Sequence, residues 1–238
     1  MAVKAGVDLD DESIPAWQRQ SMRRSLRSAR ARAHARSDRF VAAAVRLWQE
    51  TGNADFTVQD VVDRSKMSIR TFYKYFGSKE DLLIAVYETV IAREAVPRLR
   101  KRIAKFKDPL LRLRAYVEGL VELTAKTGPS GRTLVHYQNR LAENRSADLD
   151  AAMRPQFDLL VELIRDITRS RPLRRDLTLE MAARLTQYTV LAAAHGRALG
   201  SEGAADIPAE AIWQFCLSGL GIAAEARPRG RGHRAGDS

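Results

Sequence analysis

Cysteine is nearly absent from this chain: Cys216 is the single one, which excludes an intrachain disulfide and a cysteine-built zinc cluster. Long apolar runs are missing too. No stretch approaches the roughly 18 consecutive apolar residues that a membrane span needs. No apolar run precedes Phe40, so a secretory leader is not expected either. There is no phosphate-cradling glycine loop, no HExxH, no nucleophile elbow and no convincing Ser/His/Asp or Cys/His set. The four histidines are scattered. His34 and His233 sit among arginines near the two ends, and His136 and His195 lie too far apart to suggest a metal site. Catalysis, a cofactor and a bound metal are therefore not expected. Alternating strand patterning and internal repeats are absent as well.

What the chain has instead is positive charge. Lys and Arg total 40 against 29 Asp and Glu, a formal charge of +11. That balance favours an anionic partner, whether nucleic acid, an acidic membrane surface or an acidic protein. A length of 238 residues leaves room for one large or two smaller domains with an apolar core. A soluble, cytoplasmic protein is expected.

The charge is not spread evenly. Met1 to Pro15 is acidic, through Asp8, Asp10, Asp11 and Glu12. Arg19, Arg23, Arg24, Arg27, Arg30, Arg32, Arg36 and Arg39 then follow with hardly a large apolar residue between them. Alanine and arginine suit a helix, but such an arm buries too little surface to be sure of folding by itself. From Ser37 the texture changes. Phe40, Val41, Ala44, Val45 and Trp48 recur at helical spacing until Gly52-Asn53. Thr57 then caps a short helix to about Ser65, with Val58, Val61 and Val62 inward and Asp60 at the capping-box position. A second short helix runs from Ser68 to Phe76 and is ended by Gly77. Ser78 caps a longer one carrying Leu82, Leu83, Val86, Tyr87, Val90 and Ile91. Beyond Pro97, helices are expected at about Asp108 to Lys126, Ser130 to Asn144, Ala147 to Ser170, Thr178 to Leu199 and Pro208 to Ala224. Gly128-Pro129, Arg171-Pro172 and the Gly200 to Pro208 loop mark the breaks.

Two short helices joined by a tight turn and flanked by further helices form the helix-turn-helix pattern. Spacing alone fits an ordinary helical corner equally well. The surface of the second helix separates the two readings. Phe72 and Phe76 lie four apart and turn inward with Met67, leaving Ser68, Arg70, Thr71, Tyr73, Lys74 and Tyr75 outside. No acid is among them. A solvated face mixes Glu and Asp with its cations, whereas a face for a phosphate backbone excludes them.

At these residues the chain resembles the TetR (tetracycline-repressor-like) family. The string Thr57-Val-Gln-Asp-Val-Val, followed by Met67-Ser-Ile-Arg-Thr-Phe-Tyr-Lys-Tyr-Phe-Gly-Ser-Lys-Glu-Asp-Leu-Leu83, carries the likeness, which covers about Asp38 to Tyr87. The resemblance implies phosphate contacts from Thr57, Tyr73, Tyr75 and Lys79, the last at a helix N-terminus whose amides also favour an anion. It implies base-edge contacts from Gln59, Arg70, Thr71 and Lys74. Ile69 is open between two readings. Its spacing to Phe72 and Phe76 suits the core, while the family pattern turns it toward DNA and a thymine methyl. Lys66 stands where the family has glycine in the turn, and a left-handed lysine there costs on the order of 1 kcal/mol. In the arm, Arg30, Arg32 and Arg36 are candidates for minor-groove or phosphate contact.

One such motif reads only a few base pairs, so a homodimer with two recognition helices in successive major grooves is expected. Ala192, Ala193, Ala194 and Gly196 would let two helices approach closely, and Ile212, Phe215, Cys216, Leu217 and Leu220 would supply apolar area. The competing reading places all of them in the chain's own core. The resemblance implies a four-helix dimer interface from the last two long helices. It also implies a small-molecule pocket whose occupation releases the DNA. Candidate lining residues are Tyr116, His136, Tyr137, Gln138, Phe157, Met181, Tyr188 and Trp213, a mixture that suits an apolar or aromatic effector.

The predicted fold class is therefore all-α. An acidic then arginine-rich arm (1–36) leads into a three-helix helix-turn-helix domain (37–85). A larger helical bundle for ligand binding and dimerisation (86–226) and a basic tail without expected order (227–238) follow. The chain reads as a DNA-binding transcriptional regulator, a repressor released from its operator by a small effector. A DNA-architectural or peripheral membrane-binding protein competes with this, but the arm offers only Trp17, Met22 and Leu26 as apolar bulk. A redox regulator acting through Cys216 competes as well, against the commoner reading of a lone apolar-face cysteine as inert core.

Overall fold

The computed structural model describes residues 15–52, 56–125, 128–204 and 206–222, and all regular structure among them is helical. The fold is all-α, as the patterning indicates. The acidic start, Asn53 and the glycine-arginine tail named above lie outside the described residues.

Helix α1 (Ala16–Thr51) is continuous over 36 residues. This corrects the sequence reading, which began the helix at Ser37. No glycine or proline interrupts the stretch from Ala16 to Asp38, and its alanines and arginines carry a helix with little burial. Only the C-terminal part is buried, through Phe40, Val41, Ala43, Ala44 and Trp48. Helices α2 (Val58–Ser65) and α3 (Ile69–Tyr75) follow. Helix α4 (Lys79–Thr89) starts after Ser78, whose Oγ accepts a 3.1 Å hydrogen bond from the Asp81 amide.

A π-helical stretch (Val90–Ala95) and α5 (Val96–Ile103) come next. Pro97 lies inside a continuous helical run, since Ala95 and Val96 are helical and the Val96 amide bonds back to Ile91, and the wider π-helical turn stands just where proline would interrupt an α-helical ladder. Then come α6 (Pro109–Ala125), α7 (Gly128–Asn144), α8 (Ser146–Thr168), α9 (Leu179–Leu199) and α10 (Ala209–Gly219). The Gly128-Pro129 pair opens α7 instead of preceding it.

The described residues divide into two compact units, one within Met1–Glu50 and Asp55–Val86, the other within Thr51–Ala54 and Tyr87–Ser238. The first has an aromatic centre. Phe40 stands edge-on to Phe72 at 5.5 Å and to Phe76 at 6.2 Å, a favoured arrangement for ring quadrupoles. Val61, Val62, Leu82 and Val86 fill the space around them. In the second unit α6 packs against α5, α8, α9 and α10, and α9 also meets α7 and α8. Leu113, Val117, Leu160, Leu163, Ile164, Ala182 and Val190 are buried there.

Candidate nucleic-acid interface and ligand groove

Helix α2 is fixed by its cap. The Thr57 hydroxyl accepts from the Asp60 amide at 3.1 Å, and the Asp60 carboxylate accepts from the Thr57 amide at 2.6 Å and its hydroxyl at 2.8 Å. These bonds, with Lys79 nearby, hold the Asp60 carboxyl below its usual range. The Thr57 hydroxyl proton is thereby committed within the cap, so a bound phosphate has to compete with Asp60 for it. At the other end of α2, Lys66 takes the left-handed conformation at φ 56°, and its amide reaches back to the Asp63 and Val62 carbonyls. Arg39 of α1 donates to the Ser65 carbonyl at 2.9 Å, and Arg64 forks onto both oxygens of Glu50 at 2.7 and 2.5 Å. The turn is thus held from the α1 side.

Helix α3 begins at Ser68, whose Oγ accepts from the Thr71 amide at 3.2 Å and shares a proton with the Thr71 hydroxyl at 2.8 Å. Phe72 is fully buried, and its position orients the rest of the helix. Ser68, Arg70, Tyr73 and Lys74 are exposed, while Thr71 and Tyr75 are half-buried. Ile69 is 45% exposed and shares the outer surface with Arg70 and Tyr73, so the structure turns it away from the core. On α2, Gln59 is exposed and donates to Asp63 at 2.7 Å.

Lys79 is half-buried, with its Nζ 5.1 Å from the centre of the Phe56 ring. Sequence reasoning passed over Phe56. A signal was present, since Phe56 and Val61 occupy the two positions of a hydrophobic staple around the Thr57 cap, and both are buried. In the arm, Arg30, Arg32 and Arg36 are exposed on α1.

In the second unit a groove of about 460 Å³ opens among α7, α8 and α9. Leu149, Met153, Phe157 and Leu191 give it an apolar wall, and Arg154, Arg184 and His195 line it as well. The Arg184 guanidinium lies 4.2 Å from the Phe157 ring centre, a stacked cation. His195 Nε2 is 3.0 Å from Gln138 Oε1. Burial pushes the imidazole below its ordinary pKa, which favours the neutral ring beside Gln138.

Of the residues expected to line a pocket, Gln138, Phe157 and Tyr188 meet at this groove. Tyr116 is enclosed in the core, its hydroxyl 3.5 Å from the Gln156 carbonyl. Trp213 is buried, His136 and Met181 are exposed, and Tyr137 lies under the Arg140 guanidinium at 5.8 Å.

The residues expected at a dimer interface separate likewise. Phe215 is 69% exposed and Ala192 is exposed, whereas Ile212, Cys216, Leu217 and Leu220 are buried within the chain. Ala193 and Gly196 are half-buried. A Cβ on Gly196 would stand 3.1 Å from the Ala204 side chain, so the following loop already occupies its open side. Burial pushes the Cys216 thiol up to about 11, which keeps it protonated and unreactive. Three large apolar residues that the sequence did not place at an interface, Met181, Leu185 and Tyr188, form an exposed stripe on α9 at i, i+4, i+7.

Comparison with known proteins places this geometry. Residues 40–86 match the family described as "Bacterial regulatory proteins, tetR family". The chain is similar to the HTH-type transcriptional regulator BetI of Burkholderia cenocepacia (strain HI2424), 32% identical over 98 residues, or 41% of this chain and 50% of that protein. The matched stretch thus spans about half the length of these curated relatives. Among solved structures, FadR from Thermus thermophilus, a TetR-family transcriptional repressor in complex with lauroyl-CoA, aligns with a TM-score of 0.61. Identity is 23%, over 82% of this chain and 99% of that one. FadR from Bacillus subtilis, in complex with stearoyl-CoA, gives a TM-score of 0.60 at 16% identity over 76% and 98%. These two likenesses show a shared fold.

Proposed function

We propose that this chain, whose residues 40–86 match the tetR family of bacterial regulatory proteins, is a dimeric, sequence-specific DNA-binding repressor released from its operator by a small amphipathic effector. The observation that carries the DNA-binding part is the outer surface of α3. Phe72 is locked inward, and the residues left outside, Ser68, Ile69, Arg70, Tyr73 and Lys74, contain two cations, hydroxyls and one aliphatic group but no acid. Arg70 and Lys74 suit base edges or phosphates in the major groove, Tyr73 and Lys79 suit the backbone, and Ile69 suits a thymine methyl. The first compact unit would thus read DNA. The second would pair two chains and bind the effector.

The exposed α9 stripe of Met181, Leu185 and Tyr188, together with Phe215 of α10, is the apolar area that a second copy would cover. For the effector, the α7–α8–α9 groove offers an apolar wall with guanidinium groups beside it. That chemistry suits an apolar body carrying an anionic group, a class to which the acyl-CoA ligands of the two FadR structures belong. Release follows if the effector binds the DNA-incompetent state more tightly than the DNA-competent one. A regulator of this kind acts where the DNA is, in the cytoplasm, and needs no catalytic step. No helix among the described residues is long and apolar enough to cross a membrane.

The test begins with selection of bound sequences from random DNA by the wild-type protein. Tyr73→Ala combined with Lys79→Ala should keep the helical content and the dimer while weakening binding to the selected site roughly a hundredfold, as expected for two charge-assisted or polar backbone contacts. Unchanged binding would sink the assigned surface. Lauroyl-CoA added to the complex should release DNA from the wild type and less readily from Arg184→Ala; release that ignores Arg184 would move the effector elsewhere.

A further inference from the structure

We propose that the N-terminal part of α1 is a phosphate-tracking arm, a basic helix that holds the DNA backbone beyond the bases read by α3. The inference rests on the DNA-binding reading above and extends the footprint to a surface that reads no sequence.

Four observations carry it. First, the arm is one helix with the domain it leaves. From Ala16 to Arg39, α1 has no break, and at 1.5 Å per residue it extends for about 35 Å, close to one turn of duplex. Second, its point of departure is fixed. Arg39 bonds the Ser65 carbonyl immediately before the turn that leads into α3. Residues N-terminal to Arg39 therefore leave the unit beside the start of the recognition helix, the end that enters the groove in proteins of this motif.

Third, between Ala16 and Ser37 there are seven arginines and no Asp or Glu. Arg24, Arg27, Arg30, Arg32 and Arg36 are exposed and make no ion pair among the described residues. Arg24 and Arg27, Arg27 and Arg30, and Arg32 and Arg36 are like charges at i,i+3 or i,i+4, spacings that oppose an isolated helix; a polyanion relieves that repulsion. At about 100° per residue, Arg27 and Arg30 fall on one flank of the helix and Arg32 and Arg36 on roughly the opposite one. A helix about 10–12 Å across with cations on both flanks matches a groove bordered by two phosphate strands about 12 Å apart.

Fourth, the arm lacks an apolar face. Trp17, Met22 and Leu26 are exposed at 69%, 38% and 44%, but Trp17 lies on roughly the opposite side from Leu26, so they cannot enter a membrane together.

The experiment uses the full-length protein and the DNA that the wild type selects from a random pool, once with 20-base-pair flanks (about two helical turns) and once trimmed to the core. One variant carries Arg24→Gln, Arg27→Gln, Arg30→Gln, Arg32→Gln and Arg36→Gln; a second carries lysine at the same positions. On flanked DNA the glutamine variant should lose about 4.5 from the slope of log affinity against log salt per arm. Trimming the flanks should erase its difference from wild type, and its preference for the selected sequence over a scrambled one should stay unchanged. The lysine variant should bind as wild type does. Equal slopes for wild type and glutamine variant would overturn the arm. So would a lysine variant as weak as the glutamine one, or tighter binding to phosphatidylserine vesicles than to flanked DNA. Wild-type protein that selects no sequence would instead overturn the DNA-binding reading, and the arm with it.

Discussion

Arg39 and Ser65 are joined by a 2.9 Å hydrogen bond from guanidinium to main-chain carbonyl, across the gap between α1 and the last turn of α2. A cation at a helix C-terminus satisfies a carbonyl that has no intrahelical donor and complements the helix dipole. Arg39→Ala should therefore cost the first unit about 1 kcal/mol, read as a lower urea midpoint by circular dichroism. Arg39→Lys should recover part of the loss. A midpoint that does not move would leave the bond without energetic weight, and α1 would then be held by its aromatic packing and the Arg64–Glu50 fork.

Specificity and affinity should come apart on α3. Arg70 and Tyr73 share the exposed surface, Tyr73 at 56%, but their proposed roles differ. If Arg70 forks onto a guanine edge, Arg70→Ala costs about 1–3 kcal/mol of discrimination at that base pair, or roughly ten- to a hundredfold. Tyr73→Phe, which removes only a hydroxyl directed at phosphate, should weaken selected and scrambled sites alike. Competition binding with single-base variants of the selected site checks this. The same base preference in both mutants would remove Arg70 from the base-reading set.

Much of the reading unit was legible because its determinants are local. Thr57 and Asp60 stand three apart and Phe72 and Phe76 four apart, so cap and inward face follow from helical geometry without knowledge of neighbours. Continuity of α1 was harder to read, since the argument from burial favoured disorder for a stretch with hardly any core residues, and propensity prevailed instead. The groove among α7, α8 and α9 was least legible. Arg184 stacks on Phe157 because α9 crosses α8 at that point, a fact of packing that no spacing along either helix encodes. For the same reason aromatic identity misled at Tyr116 and Trp213, which are core.

His195 should make the second unit sensitive to mild acid. Burial lowers its pKa from the ordinary 6.5, so near and below that value the unfolded chain takes up a proton that the folded chain resists. Stability is then full above about pH 6.5 and declines as pH falls toward the folded-state pKa. Thermal midpoints should drop between pH 7.5 and 5.5 (about one unit either side of the free histidine value), and His195→Gln should flatten that slope. Glu50, Asp60 and Asp176, whose pKa values lie below 4.5, 3.8 and 3.8, withdraw their contributions only in stronger acid. A wild-type midpoint that is flat across the window would mean the imidazole is not desolvated as the packing indicates.

Lys66 offers a gain of stability. Its φ of 56° and ψ of 41° lie in the left-handed region, where an L side chain crowds its own backbone at a cost of about 1–2 kcal/mol. Glycine removes that cost but adds freedom to the unfolded chain, which takes back part of the benefit. Lys66→Gly should stabilise the first unit by a net 0.5–1 kcal/mol or about that, seen as a higher urea midpoint. Lys66→Ala should change little, because it keeps the Cβ and the side chain is exposed. If both substitutions behave alike, the strain is not in the backbone. If glycine stabilises but DNA binding also falls beyond the loss of one phosphate contact in the salt slope, about 0.9, then the lysine's stiffness has been holding α3 at its angle to α2, and the strained turn serves recognition as well as connection.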